Sequence, residues 1–148
     1  MKKIILFLGI VFLITGCHKK NAKFSYVDKD LSAVLTQDEI NSAHFCIIVP
    51  RTGCGGCIDN ATRYIKDNLI RLPHTEVIFT GIVDKKLLRL EVGDEFLKQK
   101  NVHLDTANVF KDLEVQSIYP QIVKLQNGNS VELKELDVNS NDMNELLK

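Results

Sequence analysis

The sequence predicts one α/β domain whose sheet contains both parallel and antiparallel strands. After residue 43 the predicted elements follow the order β-α-β-α-β-α-β-β-α. Alternating strands and helices favour parallel strand pairs, because each helix carries the chain back across the sheet. The last two strands flank Asn127-Gly128, which is typical of a tight antiparallel hairpin. These observations together predict a mixed sheet flanked by helices.

The first core strand is predicted from a short apolar segment. Residues 44–49 are rich in β-forming side chains and are followed by Pro50, which ends the strand. Before this strand, residues 34–35 suggest a short strand or turn. Thr36, with Glu39 three residues later, has the pattern of a helix capping box and predicts a brief helix.

Two helices and a second strand are predicted next. Apolar residues at helical spacing predict a helix over residues 57–72, which ends at Pro73. Residues 76–83 form a second buried strand, and residues 85–100 a second long helix. Gly93 weakens that helix by up to about 1 kcal/mol relative to alanine, so two shorter helices are also compatible with the sequence.

Five further elements complete the predicted domain. A short strand comes first, followed by a helix that Asp105 and Thr106 would cap, then the two hairpin strands and a C-terminal helix. Their predicted ranges are, in order, 102–104, 107–113, 121–125, 130–136 and 142–148.

The N-terminal segment has a different composition from the domain. Two lysines precede an apolar run over residues 4–14, which is too short for a transmembrane helix and is typical of a secretion signal. The run leads into Leu13-Ile14-Thr15-Gly16-Cys17, which resembles the lipobox of bacterial lipoproteins. The resemblance implies cleavage before Cys17 and lipid attachment to it, with the domain held outside the cytoplasm on a membrane of the cell envelope. The alternative is an ordinary signal peptide or anchor helix with a chance cysteine.

These features divide the chain into three parts. We expect a signal peptide over residues 1–16, a lipidated tether over residues 17–29, and a folded domain over residues 30–148. Without Lys2 and Lys3, the 19 basic and 19 acidic residues become 17 and 19, a net charge of −2. This balance of charge gives no excess of basic residues that would favour nucleic acid as a partner. The 132 residues from Cys17 onward are enough for one hydrophobic core.

The motif Cys54-Gly55-Gly56-Cys57 carries the clearest chemistry. It lies between the predicted strand 44–49 and the helix that follows, and this placement is typical of a thiol–disulfide exchange site. Unpaired N–H groups and the helix dipole favour a thiolate at Cys54, which is the predicted nucleophile. Cys57, one turn into the helix, is predicted to resolve the mixed disulfide. Export would place the pair where disulfides persist.

The element order around this motif resembles the thioredoxin fold over residues 30–148. Residues 117–120, Ser-Ile-Tyr-Pro, directly precede the first hairpin strand, where thioredoxin-like proteins carry a cis-proline. The resemblance implies a cis bond before Pro120, packing of Pro120 beside the two sulfurs, and pairing of the Tyr119 backbone with an extended substrate. A trans-proline at a strand start is the alternative. The extra β-α unit between Cys57 and Pro120 is similar to the exported TlpA-like and peroxiredoxin-related branch, whose tethered members are thiol–disulfide oxidoreductases.

Three features depart from the usual thioredoxin pattern. Gly53 precedes the first cysteine where many thioredoxins have tryptophan, and the chain contains no tryptophan. The central dipeptide is Gly-Gly. A buried acid that assists the resolving thiol would fall on the first core strand, which offers only His44, so the proton acceptor for Cys57 is unassigned.

The resemblance implies a membrane-tethered thiol–disulfide oxidoreductase that needs no cofactor. Its partners would be thiols and disulfides of exported proteins, the membrane through the lipid on Cys17, and a redox partner that supplies electrons or disulfides. Whether it reduces, oxidises or isomerises its substrates is not encoded in these motifs.

Several other interpretations of the cysteines stay open. The Cys54–Cys57 pair is also compatible with a static disulfide in a non-catalytic lipoprotein, or with a Cu(I) carrier that adds Cys46 or His44. A peroxidase is less compatible, because peroxidatic cysteines usually stand alone. Covalent haem attachment needs histidine at position 58, where the chain has isoleucine. Cys46 itself is expected to be a small buried hydrophobe, and Arg51 either a solvated loop charge or a source of positive potential.

Overall fold

A computed structural model describes residues 22–111, 115–137 and 146. These residues form an α/β fold with a mixed five-stranded sheet flanked by helices, as the sequence predicted. The helices are α1 Ala22–Val34, α2 Gln37–Ser42, α3 Gly55–Asn68, α4 Lys85–Val92 and α5 Asp94–Leu97. The strands are β1 Phe45–Pro50, β2 Thr75–Thr80, β3 Val102–Leu104, β4 Gln121–Gln126 and β5 Asn129–Glu135.

The strand order determines which loops meet. The sheet runs β3-β2-β1-β4-β5, with β1, β2 and β3 parallel to one another and β4 antiparallel to both β1 and β5. The end of β1, the start of β4 and the end of β5 therefore lie at the same edge of the sheet. The Cys54–Cys57 motif follows β1, Pro120 precedes β4 and Leu136 follows β5, so this edge holds all the predicted site residues of the domain.

Each face of the sheet is covered by a separate hydrophobic cluster. On one face, apolar residues of α3 and α4 pack against Ile47 and Phe79, together with Leu146. On the other face, α1 and α2 pack against Cys46 and Ile78. Burial of these side chains removes apolar surface from water and holds the two helical layers on the sheet.

The helix α1, Ala22–Val34, was not predicted from the sequence, which indicated a helix only after Thr36. Residues 34–35 were predicted as a strand or turn, but α1 runs to Val34 and continues its hydrogen bonding as the Leu35 N–H donates to the Leu31 carbonyl at 2.8 Å. Val27 and Leu31, four residues apart, are fully buried against the sheet. Residues 22–29 were predicted as part of the tether, but in the structure they belong to the packed domain, which includes the chain from Ala22 onward.

Two other predicted boundaries are wrong. The strand predicted over residues 76–83 ends at Thr80, because Gly81 turns the chain with a positive φ of 68°. The helix predicted over residues 107–113 is absent over 107–111, while 112–113 fall outside the described residues. Asn108 has φ of 52°, a left-handed conformation that a right-handed helix cannot contain.

Several local predictions are confirmed. The long helix breaks at Gly93, whose φ is 97°, into α4 and α5. Thr36 and Glu39 form the predicted capping box at the start of α2. Asn127 and Gly128 both have positive φ, 51° and 72°, as a two-residue hairpin turn between β4 and β5 requires.

Some predictions lie outside the described residues. These are the signal peptide, the lipidated Cys17, and the C-terminal helix over 142–148 except for Leu146, which is buried. Within the part of the chain that the structure describes, no helix is both long enough and apolar enough to cross a membrane.

Candidate functional site

The first strand delivers the two cysteines to the start of α3. Five of the six residues of β1 are buried, and the chain leaves the sheet at Pro50 to turn through residues 51–53. Cys54 is the N-cap of α3, with extended φ and ψ of −70° and 91°, and its carbonyl accepts the Ile58 N–H at 2.9 Å. The helix is held there because Ile58, Ala61 and Ile65, at helical spacing, are buried in the core.

Cys54 and Cys57 form a disulfide across the first turn of α3. Their Cα atoms are 5.3 Å apart, and both residues are half-buried. The Cys54 side chain makes no capping hydrogen bond in this oxidised form. The first N–H groups of an α-helix have no partner within the helix, so they stay available to a sulfur that becomes a thiolate.

The residue before the motif is fixed as glycine by a close backbone contact. Gly53 has φ of 142°, and a Cβ atom added there would lie 2.3 Å from the Ile118 carbonyl oxygen. The Cys54 N–H donates to the same oxygen at 2.9 Å. The departure from tryptophan at this position therefore has a steric cause: the chain before Pro120 lies directly against Gly53.

The predicted cis-proline is not present. None of the peptide bonds among the described residues is cis, so the bond between Tyr119 and Pro120 is trans. The trans form is intrinsically favoured before proline by about 0.5–1 kcal/mol, and the cis form was expected only from resemblance. The expected pairing of the Tyr119 backbone with substrate stays a prediction, and the Tyr119 N–H currently donates to Ser117 Oγ at 3.0 Å.

Tyr119 nevertheless lies beside the disulfide. A groove of about 360 Å³ is lined by both cysteines and by residues from three parts of the chain. The other lining residues are Gly56, Asn60, Tyr119, Glu135, Leu136 and Asp137. Pro120 is not among them; it is buried, and its carbonyl accepts the Leu136 N–H at 2.8 Å, which ties the starts of β4 and of the chain after β5 together.

The sequence analysis missed the contribution from the end of β5. Glu135 is the register partner of Gln121 in the β4–β5 pair, which places it at the site edge. The Asn127-Gly128 turn could have indicated that the end of this hairpin returns to Pro120. A β-bulge at Lys124/Leu125 shifts the pairing, however, so the turn alone does not give the register.

Arg51 is not a solvated loop charge. Its side chain is 16% exposed and forms an ion pair with Glu91 of α4. Its backbone N–H donates to the Thr80 carbonyl at 2.9 Å. Arg51 thus connects the loop before the cysteines to β2 and α4, and it does not line the groove that contains the disulfide.

Two buried carboxylates lie elsewhere on the sheet. Asp105, 1% exposed, accepts a hydrogen bond from Thr80 Oγ1 at 2.7 Å, and Glu76 lies 2.7 Å from His103 Nε2. Neither lines the disulfide groove, so neither is assigned as the proton acceptor for Cys57. Burial, with a further contribution from Glu76, raises the pKa of the Cys46 thiol well above its ordinary value.

Cys46 is buried in the core and does not join the Cys54–Cys57 pair. Its exposed fraction is 0%, and it packs among apolar residues on the face of the sheet covered by α1 and α2. Over residues 22–111, 115–137 and 146, no three histidine, cysteine, aspartate or glutamate side chains are grouped so as to hold a metal ion. The expectation that Cys46 is a small buried hydrophobe is confirmed.

The geometry thus brings together a disulfide, a helix N-terminus and a solvent-accessible groove. Comparisons of this chain with models of protein families, with curated proteins and with solved structures found no match.

Proposed function

We propose that this protein is a thiol–disulfide oxidoreductase of thioredoxin-like fold that uses the Cys54–Cys57 pair. The observation that carries the proposal is the half-buried disulfide at the N-terminus of α3, open to a groove beside Tyr119. The mixed sheet with helices on both faces is compatible with a thioredoxin-like fold. Cys54 and Cys57 are the catalytic residues, Tyr119 lines the substrate side, and the buried Pro120 supports that side through its hydrogen bond from Leu136.

The reaction follows from the position of each sulfur. In the reduced protein, the Cys54 thiolate attacks a substrate disulfide, forms a mixed disulfide and releases one substrate thiolate. The Cys57 thiolate then attacks Cys54 Sγ, which releases the second substrate thiolate and closes the Cys54–Cys57 disulfide. Two electrons pass from the protein to the substrate, and the reverse sequence oxidises a substrate dithiol.

The helix N-terminus favours Cys54 as the nucleophile. As the N-cap residue, it stands where an aspartate or serine oxygen would accept N–H groups of the first turn. A thiolate there gains the same donors and the favourable end of the helix dipole. Cys57, within the helix, is placed to attack Cys54 without a large movement, since the two Cα atoms are 5.3 Å apart.

A purely structural role for this disulfide is less well supported. The bond joins residues only three positions apart. In the chain-entropy model a loop this short contributes about 2 kcal/mol, compared with about 3 kcal/mol for a 15-residue loop. Ile58, Ala61 and Ile65 already hold α3 on the core, so the helix has an anchor that does not depend on the bond.

The location belongs to the same proposal. Cleavage before Cys17 and acylation of this cysteine would tether the domain to a membrane of the cell envelope, outside the cytoplasm, as the lipobox resemblance implies. Its substrates would be cysteines of exported proteins, and a redox partner would renew the pair. Metabolic labelling with a radioactive fatty acid tests the tether: Cys17→Ser should abolish the label, and a label retained by that variant would contradict lipid attachment there.

The activity is tested by insulin reduction with dithiothreitol as the electron donor. The full chain, purified in neutral detergent, should accelerate precipitation of the insulin B chain, and Cys54→Ser should abolish the acceleration. Cys46→Ala is the matched control, because it removes a thiol that the mechanism does not use. Turnover at background in the unaltered chain, with no further loss in Cys54→Ser, would identify the bond as static.

A further inference from the structure

The two sides of the disulfide differ in access. On one side, the Gly53 backbone lies so close to Ile118 that even a methyl group would not fit between them. On the same side, the Ile118 carbonyl oxygen accepts the Cys54 N–H at 2.9 Å. A substrate segment therefore cannot pass between Gly53 and Ile118.

The other side of the disulfide is the open groove between α3 and the end of β5. Tyr119, 37% exposed, and the buried Leu136 give it apolar surface, and Asn60 lines it from α3. Among the described residues that line it, the ionisable groups other than the cysteines and Tyr119 are the carboxylates of Glu135 and Asp137, and none of these described residues is lysine or arginine. The exposed carboxylate of Glu135 thus places negative charge at the rim of the groove.

This charge acts on whatever reaches the sulfurs. Groups that line one groove lie within about a Debye length of a segment bound there, which is about 10 Å at 0.1 M ionic strength. Like charges near a binding segment slow its approach, and opposite charges raise its local concentration. A disulfide exchanges with cysteines, and a carboxylate beside it favours cysteines whose neighbours carry positive charge.

We propose that the substrates of this site are polypeptide cysteines flanked by lysine or arginine, which enter the groove from the β5 side. This inference rests on the proposed oxidoreductase function and adds the chemical class of the substrate. Glu135, at the exposed end of β5, is the specificity-determining residue that can be varied without altering the two sulfurs.

The test uses symmetric peptide disulfides that differ only in charge. Two copies of one short peptide are joined through a central cysteine, which is flanked by lysine, glutamine or glutamate. The reduced full chain donates two electrons, so each dimer yields two peptide thiols while Cys54 and Cys57 form their disulfide. Rates are measured by acid quenching and chromatography. Each peptide's rate is divided by its rate with dithiothreitol, which removes differences in the intrinsic reactivity of the peptide disulfides, and neutral bis(2-hydroxyethyl) disulfide is the charge-independent reference for each protein variant.

The unaltered chain should reduce the lysine peptide roughly three to ten times faster than the glutamate peptide at low salt. Molar salt should bring the ratio close to one, because the Debye length falls to about 3 Å. Glu135→Gln should lower the ratio, and Glu135→Lys should lower it further or invert it. Glu132→Gln is the matched control and should leave the ratio unchanged. It removes the same charge from β5, but Glu132 is paired with Lys134 and lies outside the groove.

The outcomes separate this inference from the function on which it depends. Equal rates for the three peptides, or a ratio that Glu135→Lys does not move, would overturn the charge selection while leaving the oxidoreductase proposal standing. Failure to reduce any peptide and the neutral disulfide would overturn both. Urea unfolding midpoints show whether each Glu135 variant is folded. If Glu135→Lys does not fold, Glu135→Gln alone decides the test.

Discussion

Replacement of Gly53 by alanine tests the contact that closes one side of the site. The new Cβ atom would lie 2.3 Å from the Ile118 carbonyl oxygen and 2.7 Å from the Ile118 Cα, while real Cβ atoms essentially never approach within 3.0 Å. The Ile118 backbone must therefore retreat by at least about 0.7 Å. Alanine would also have to adopt a φ of 142°, which favours glycine.

The energetic cost follows from these two effects. An unfavourable φ costs about 1–3 kcal/mol and overpacking against a backbone about 1–3 kcal/mol, so we expect a loss of about 2–6 kcal/mol in the free energy of unfolding. With a urea dependence of about 2 kcal/mol per molar, the unfolding midpoint should fall by about 1–3 M. Displacement of Ile118 and Tyr119 should also slow insulin reduction, by up to about 100-fold.

Gly55→Ala is the matched control for this prediction. A Cβ at Gly55, the first residue of α3, meets no atom within 4 Å, and its φ is not positive. Alanine there should leave stability unchanged or raise it by about 0.4–1 kcal/mol, because it restricts the unfolded chain. If Gly53→Ala unfolds at the same urea concentration as Gly55→Ala, the close approach of Gly53 to Ile118 is refuted.

Four further predictions concern the rest of the fold and the redox pair. Cys46 should resist alkylation in the folded chain. Because burial raises the pKa of its thiol, the thiol ionises at lower pH in the unfolded chain than in the folded one. The free energy of unfolding should therefore fall above about pH 9, and Cys46→Ala should remove this fall. Thr36→Ala should cost about 0.5–2 kcal/mol in urea unfolding through loss of the α2 cap. The hydrogen bond from the Thr36 N–H lowers the pKa of Glu39. The stability that this carboxylate adds is therefore present above its ordinary pKa and is lost as the pH falls through the lowered value. Glu39→Gln should abolish that acid-dependent loss, and an unchanged pH profile of stability would contradict the cap. Titration of the Cys54–Cys57 pair against glutathione or dithiothreitol should give one two-electron potential: a value near −270 mV or below indicates a reductase and one near −120 mV an oxidant, whereas a pair that never equilibrates with either buffer would contradict an exchange role.

The local patterns of the sequence were sufficient for most elements around the motif. The β1 strand, α3 and the hairpin turn are encoded by short-range features: a β-rich apolar segment, helical spacing and Asn127-Gly128. These features also place the two cysteines at a helix N-terminus. The hydrogen bonds of helices and the conformational preferences of turns are local, so neighbouring residues are enough to predict them.

Features that depend on contacts between distant segments were not predictable in this way. The Gly53–Ile118 approach joins residues far apart in the chain, and the sequence shows only a glycine. The bulge at Lys124/Leu125 is similar: a regular hairpin from the Asn127-Gly128 turn would place Lys134 opposite Gln121, whereas the bulge places Glu135 there. One extra residue thus exchanges a basic for an acidic side chain at this edge of the sheet.

The early start of α1 bears on where the proposed enzyme would meet its partners. If Cys17 carries the lipid, only five residue steps separate it from Ala22, where α1 begins. A fully extended chain spans at most about 18 Å over that distance, while a domain of this length has a radius of gyration of about 14 Å. The domain would then lie almost against the bilayer with restricted rotation. Only proteins adjacent to the lipid headgroups would reach Cys54 and Cys57, whatever the concentration of substrate proteins farther from the membrane.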